Sequence, residues 1–198
     1  LRMLIQKAKA ANMPADNVDR AIKKGTGEIP GVIYEQLLYE GYGPGGIGII
    51  VEVTTDNKNR AASDVRSTFT KNGGNLAAPG ALQFNFTKQG QFIISADKTS
   101  EDALMDIVLD AGAEDIINNG DHFEILCPIS AFMNVSTALE NANITPDEAE
   151  LAWIPNSETD ITDPELAKKI VKLTDALEDL DDVQNVYSNE NIDDGLLD

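Results

Sequence analysis

Apolar residues recur along this chain with two periods, and each change of period marks a new element. Residues 1–12 place Leu1, Leu4, Ile5 and Ala8 at helical spacing, with Arg2, Gln6, Lys7 and Lys9 on other faces. Pro14 suits the first turn of a second helix, whose Val18, Ala21 and Ile22 recur at three and four before Lys23, Lys24 and a stopping Gly25. From Val32 the pattern is that of strands, over 32–39 and 47–54, joined by a glycine-rich turn. A helix is predicted over 58–72 and stops at Gly73-Gly74. At 100° per residue Ala62, Val65, Phe69 and Asn72 share one face, Arg60, Ser63, Ser67 and Lys71 form a polar stripe on the other, and Arg66 lies to one side. A loop with Pro79-Gly80 leads to a strand near 82–86.

Residues 91–154 then spell a complete unit. Phe92 to Ser95 reads as a strand, and Ser100 caps a helix that buries Leu104, Ile107, Val108 and Ala111 and ends at Gly112. Two short strands flank the Asn119-Gly120 turn, and after Pro128 a helix over 130–141 precedes a strand over 148–154. The order βαββαβ is the ferredoxin-like arrangement of four antiparallel strands with two helices on one face. A further helix follows, with Thr162-Asp163-Pro164-Glu165 matching a capping box and Leu166, Ile170, Leu173 and Leu177 as its apolar stripe. A last strand spans 183–187.

The expected fold class is therefore α+β: a partly missing N-terminal helical domain (1–30), a discontinuous central α+β domain (31–89 with 157–190) and an inserted ferredoxin-like domain (90–156). An acidic tail, 191–198, is expected to fray.

A hydrophobic share of 42% gives enough apolar surface for a core, and no apolar run approaches the roughly 20 residues of a membrane helix. The one cysteine, Cys127, fits a reducing compartment, so cytoplasm is the expected location. The chain opens at Leu1 inside a helical pattern, hence the expectation that part of the helical domain precedes it. A net charge of -19 argues against indiscriminate coating of nucleic acid. Its distribution is uneven. Lys and Arg number six against three Asp and Glu in residues 1–30, five against five in 31–96, and four against 26 in 97–198, so any polyanion is expected on the first half. Solubility alone is the competing reason for the acid.

Enzymatic chemistry finds little support. Gly43, Gly45 and Gly48 fit G-x-G-x-x-G, but Ile49 to Val53 behind them is a strand, where a dinucleotide site needs a helix. His122 alternates with strand neighbours, Cys127 ends an apolar strand, and Asp102, Asp106 and Asp110 run along a solvated helix face. No hydrolase elbow, P-loop or zinc spacing occurs. The reading is non-enzymatic, with no cofactor and no metal. The candidate binding residues are Lys58, Arg60, Arg66 and Lys71, with Asn57, Asn59, Ser63 and Ser67 able to donate to phosphates, and Lys23 and Lys24 as a second basic step. The plain alternative is a solvated helix face with a few ion pairs. No aromatic platform for stacked bases is evident.

Four stretches resemble one family: 21–28 (AIKKGTGE), 39–46 (YEGYGPGG), 55–60 (TDNKNR) and 69–76 (FTKNGGNL) look like the YebC/PmpR family of probable transcriptional regulators, which also includes a mitochondrial translational activator. The resemblance covers essentially the whole chain. It implies a three-domain build, a basic segment ahead of Leu1, and a non-enzymatic regulator of gene expression. Two targets follow: promoter DNA, or ribosomal or transfer RNA on a ribosome whose elongation is assisted over difficult sequences such as proline runs. A protein-interaction module would rest on the acidic half alone. Neither a membrane nor a small-molecule cofactor is implied.

Overall fold

The glycine-rich stretch after Tyr42 turns β1 (Glu35–Tyr42) back onto β2 (Gly48–Thr55) through one tight turn at Pro44–Gly46. Gly45 and Gly46 adopt φ of 77° and 80°, the left-handed region that only glycine enters without strain. The glycines thus shape a hairpin. The computed structural model describes residues 4–5, 8–9, 11–28 and 33–196. Leu1, Arg2, Gln6 and Lys7 of the predicted first helix, and Val32 at the predicted start of the first strand, lie outside them. The chain divides into two compact units, Leu1–Asn85 with Ser157–Asp198, and Phe86–Asn156.

In the first unit α1 (Ala15–Gly25) is strongly amphipathic, with none of its residues buried. The antiparallel sheet has the order β3-β1-β2-β9, with β3 (Asn75–Leu76) and β9 (Val183–Ser188) at its edges. Two helices cover one face, α2 (Lys58–Lys71) and α5 (Pro164–Glu178). Alternate residues of β2, Ile49, Val51 and Val53, meet Ala61, Val65 and Phe69 of α2 and Ala167, Ile170, Leu173 and Leu177 of α5 in one dry core. The period-2 and period-3.6 stripes read in the sequence interlock here. Ala62, predicted inward, is only half-buried, and Ala61 takes its place.

On the other face Glu40 of β1 is 5% exposed, and its carboxylate accepts from the backbone N–H groups of Gly80 (2.7 Å) and Leu82 (2.6 Å). This contact corrects the strand predicted near 82–86. Leu82 is buried as a strand residue would be, but the segment is a series of turns clamped by Glu40. The capping of α5 also shifts by one residue: Asp163, not Thr162, caps it and accepts from the N–H of Glu165 at 2.9 Å. The tail does not fray directly after Glu190. β10 (Glu190–Ile192) pairs in parallel with β8 (Thr159–Ile161), and Ile161 and Ile192 pack onto the core.

The second unit is the ferredoxin-like arrangement. Its sheet runs β5-β6-β4-β7, all antiparallel, from β4 (Phe86–Ser95), β5 (Asp115–Asn118), β6 (His122–Cys127) and β7 (Glu148–Pro155). The helices are α3 (Glu101–Val108), capped by Ser100, and α4 (Phe132–Asn141). β4 begins at Phe86, earlier than the predicted Phe92, because Phe86 already pairs with Pro155. Polar residues and Gly90 hide this start from the alternation. Gly90 is required: a Cβ there would lie 2.6 Å from the Phe132 ring and 2.7 Å from Cys127 Sγ. Phe132 stacks on Phe92 at 4.7 Å between centroids.

Candidate nucleic-acid interface

Asn57 opens α2 by accepting from the N–H of Arg60 at 3.1 Å, and this fixes the phase of the helix and so the direction of each cation on it. The predicted basic residues divide between two flanks. Toward β1, Lys58 pairs with Glu35 at 2.5 Å, and Arg66 stands near the Tyr39 hydroxyl. Burial raises the Tyr39 pKa, with the nearby Arg66 acting to lower it. The Lys24 ammonium lies 5.2 Å from the centroid of the Tyr34 ring, one residue before Glu35. Contact with Tyr34 raises the pKa of that ammonium. Lys24, Lys58 and Arg66 therefore follow the β1 side of the unit, interleaved with Tyr34 and Tyr39. Tyr34 is 40% exposed, an aromatic surface that the sequence reading passed over. Lys23 pairs with Asp19 within its own helix at 3.2 Å.

Arg60 has different surroundings. Its guanidinium donates to both oxygens of Asp182, from Nη2 at 2.9 and 3.0 Å and from Nε at 3.2 Å, and to Asp56 at 2.8 Å. Thr55 Oγ1 also donates to Asp182 at 3.0 Å. These partners raise the arginine's pKa and lower that of Asp182. Asp64, Asp179 and Asp181 line the same depression. Arg60 is thus an internal tie at an acidic end of the helix layer, and its charge is largely balanced there.

The other end gathers the lysines, beside the capping Asp163 and Glu165 of the first turn of α5. Arg60 at the start of α2 meets Asp182 beyond the end of α5, so the two helices run antiparallel and Lys71 falls at the α5 N-terminal end. Gly45 and Gly74 approach Leu166 and Leu173 at that end. Lys168, Lys169 and Lys172 are exposed on the first turns of α5, and with Lys71 and Arg66 they form no ion pair among the described residues. The sequence reading missed these three lysines. Their signal is a KK-x-x-K spacing on one helix inside an otherwise acidic segment.

The catalytic candidates set aside from sequence hold plain structural contacts. His122 Nδ1 lies 2.6 Å from Asp121, which lowers the pKa of that carboxyl. Burial pushes the Cys127 thiol up to about 11. Asp102, Asp106 and Asp110 are exposed. Among the described residues no group of three or more His, Cys, Asp or Glu is placed to hold a metal ion, and no helix is long and apolar enough to cross a membrane.

What these features define is a multidomain α+β protein whose cationic side chains sit on open helix faces. Residues 34–190 match the model of the TACO1/YebC second and third domain, and residues 1–28 that of the TACO1/YebC N-terminal domain. The chain belongs to the TACO1/YebC family. It is 55% identical over 197 residues to a probable transcriptional regulatory protein of Opitutus terrae, covering 100% of this chain and 79% of that one. A protein of the same description from Fusobacterium nucleatum is 50% identical with the same coverage. The crystal structure of a conserved hypothetical protein, Aq1575 from Aquifex aeolicus, superposes with a TM-score of 0.91 at 42% identity, over 100% of this chain and 82% of that one.

Proposed function

We propose that this protein is a non-enzymatic regulator of gene expression that grips the phosphate backbone of nucleic acid through the first unit. One observation carries the reading. The second unit sets thirteen Asp and Glu against Lys88 and Lys98 alone, whereas the first unit exposes Lys24, Lys58, Arg66 and Lys71 on neighbouring helix faces. The first unit also carries a net negative charge, 21 Asp and Glu against 13 Lys and Arg, so a polyanion is drawn to these exposed cationic faces and not to the unit as a whole, while the second unit offers no comparable face.

Structured RNA of the translation apparatus is the target this geometry favours. α2 lies flat on its sheet beside α5, and neither end projects as a reading helix projects into the major groove of DNA. Promoter DNA is the second reading, and the name of the Opitutus terrae and Fusobacterium nucleatum relatives supports it.

Gel shifts with promoter duplexes and sedimentation with ribosomes, at matched salt, separate the two targets. Arg66→Glu with Lys24→Glu is expected to weaken binding in whichever assay succeeds. Unchanged binding would remove the β1 flank from the interface.

A further inference from the structure

We infer that Lys71, Lys168, Lys169 and Lys172 form a second, separate contact surface, one that seats the phosphate backbone of double-helical RNA. The inference rests on the reading that the first unit binds nucleic acid, and it adds to the flank of Lys24, Lys58 and Arg66 a surface on a different side of the unit, to which Lys71 belongs.

The charge of the helix layer is polar along its length. At one end Arg60 is enclosed by Asp56 and Asp182, with Asp64, Asp179 and Asp181 beside it. At the other, four lysines are exposed, and none has an ion-pair partner among the described residues. The segment 97–198 holds four lysines against 26 acidic residues. Of those four, among the described residues, only Lys98 is paired, to Asp147. The remaining three fall within two turns of one helix. Around α5 the core residues Ala167, Ile170, Leu173 and Leu177 fix the inner face. Stepping 100° per residue, Lys168 and Lys172 then point outward and Lys169 turns toward α2. Lys71 lies on the side of α2 that turns toward α5, because it shares the stripe of Arg60 and Asp64. Lys71 and Lys169 thus flank the seam between two antiparallel helices, and Lys168 and Lys172 stand beside it on the outer face of α5. A shallow depression lies along the outer face of α5, lined by Lys168, Val171, Lys172, Asp175 and Asp179.

Exposed like charges on neighbouring turns, none of them in an ion pair among the described residues, favour a polyanion as occupant. All four are lysines, compact point charges suited to phosphates, and none is an arginine with the fork that reads guanine edges. Two helices side by side are also broader than the roughly 12 Å major groove of B-DNA. Recognition by shape and backbone is how double-helical RNA is bound, since side chains do not read its deep groove.

The test compares the full chain with Lys168→Glu/Lys169→Glu/Lys172→Glu, binding an RNA hairpin and a B-form DNA duplex of the same stem sequence over a series of salt concentrations. The hairpin affinity is expected to fall about tenfold or more, and the slope of log affinity against log salt by about 2.7, the value for three lost phosphate contacts on a duplex. The Lys→Gln triple variant should give a smaller change of the same sign, with an unchanged thermal melt for both variants. Asp175→Asn, in the same depression, should tighten binding. Unchanged affinity and slope in the triple variants, while Arg66→Glu still weakens binding, would overturn this surface and leave the broader function standing. Equal affinity for the DNA duplex would overturn the assignment to RNA. Failure of the unaltered chain to bind either probe would overturn both readings together.

Discussion

Arg60 and Asp182, 122 residues apart, join the start of α2 to the segment just past the end of α5 through a fork of hydrogen bonds between 2.9 and 3.2 Å. This tie sets which way each helix presents its charges, and so it governs the interface indirectly. Arg60→Glu would report on folding before it reported on binding.

The acid sensitivity of that tie has a defined sign. Arg60, then Thr55, hold the Asp182 carboxyl below its ordinary pKa. The stabilisation is therefore fully present above the unfolded value near 3.9 and is lost as pH falls through the lower folded value. Asp182→Asn is expected to lower the Tm by a few degrees at pH 7, and the gap should shrink as the pH falls below the unfolded value and through the lowered folded one. Thermal melts across that range decide it, and a gap that persisted into strong acid would contradict the assignment.

Glu190 carries the opposite sign. Its Oε2 is buried without a hydrogen-bond partner among the described residues, and burial raises its pKa despite the 2.8 Å bond from Ser188. The cost of ionisation is felt at neutral pH and disappears as pH falls toward the unfolded value near 4.3. Glu190→Gln should raise stability by about 1 kcal/mol at pH 7.5 and leave it unchanged near pH 4. Urea titrations at the two pH values measure this directly.

Two glycines hold the α2 exit against β1. A Cβ on Gly74 would lie 2.6 Å from the Tyr42 carbonyl oxygen, and one on Gly41 would lie 2.6 Å from the Phe69 ring and 2.9 Å from the Asn75 carbonyl oxygen. Alanine at either position is expected to cost about 2–3 kcal/mol in denaturant unfolding, since a backbone atom has to move. Gly46→Ala meets open space and only the strain of a positive φ, so about 1 kcal/mol is expected there.

Removing the Glu40 carboxylate leaves the N–H groups of Gly80 and Leu82 without an acceptor. Glu40→Ala should destabilise by about 3 kcal/mol and accelerate hydrogen exchange at both amides, whereas Glu40→Gln keeps one acceptor and loses less. Exchange rates that stayed slow in the alanine variant would show that the loop is held by other contacts.

These residues also explain what the sequence could convey. Leu166, Ile170, Leu173 and Leu177 announced α5, and Asn119-Gly120 its hairpin, because local periodicity and turn chemistry suffice for both. Glu40 gave no such signal: a carboxylate on a strand reads as exposed until a loop forty residues later supplies its donors. β8 and β10, three residues each, are too short for any period to register. On the interface, Arg60 looked like a free cation because its partner Asp182 is remote in sequence. Lys168, Lys169 and Lys172 were masked by counting charge over a long acidic segment, when their spacing on one helix was the informative quantity.

The pairing of β9 with β2 bears on how this chain is made. Every strand of the second unit finds its partner between Phe86 and Pro155, so that unit can be completed once those residues have left the ribosome. The first unit cannot: Val186 must reach Val51, and α5 must emerge, before its core closes. During synthesis the early hairpin and α2 wait with Ile49, Val51 and Phe69 uncovered, while an acidic, already folded unit hangs from the nascent chain. That delay is the interval in which aggregation threatens, and the dense negative charge of the segment that folds first keeps neighbouring nascent chains apart.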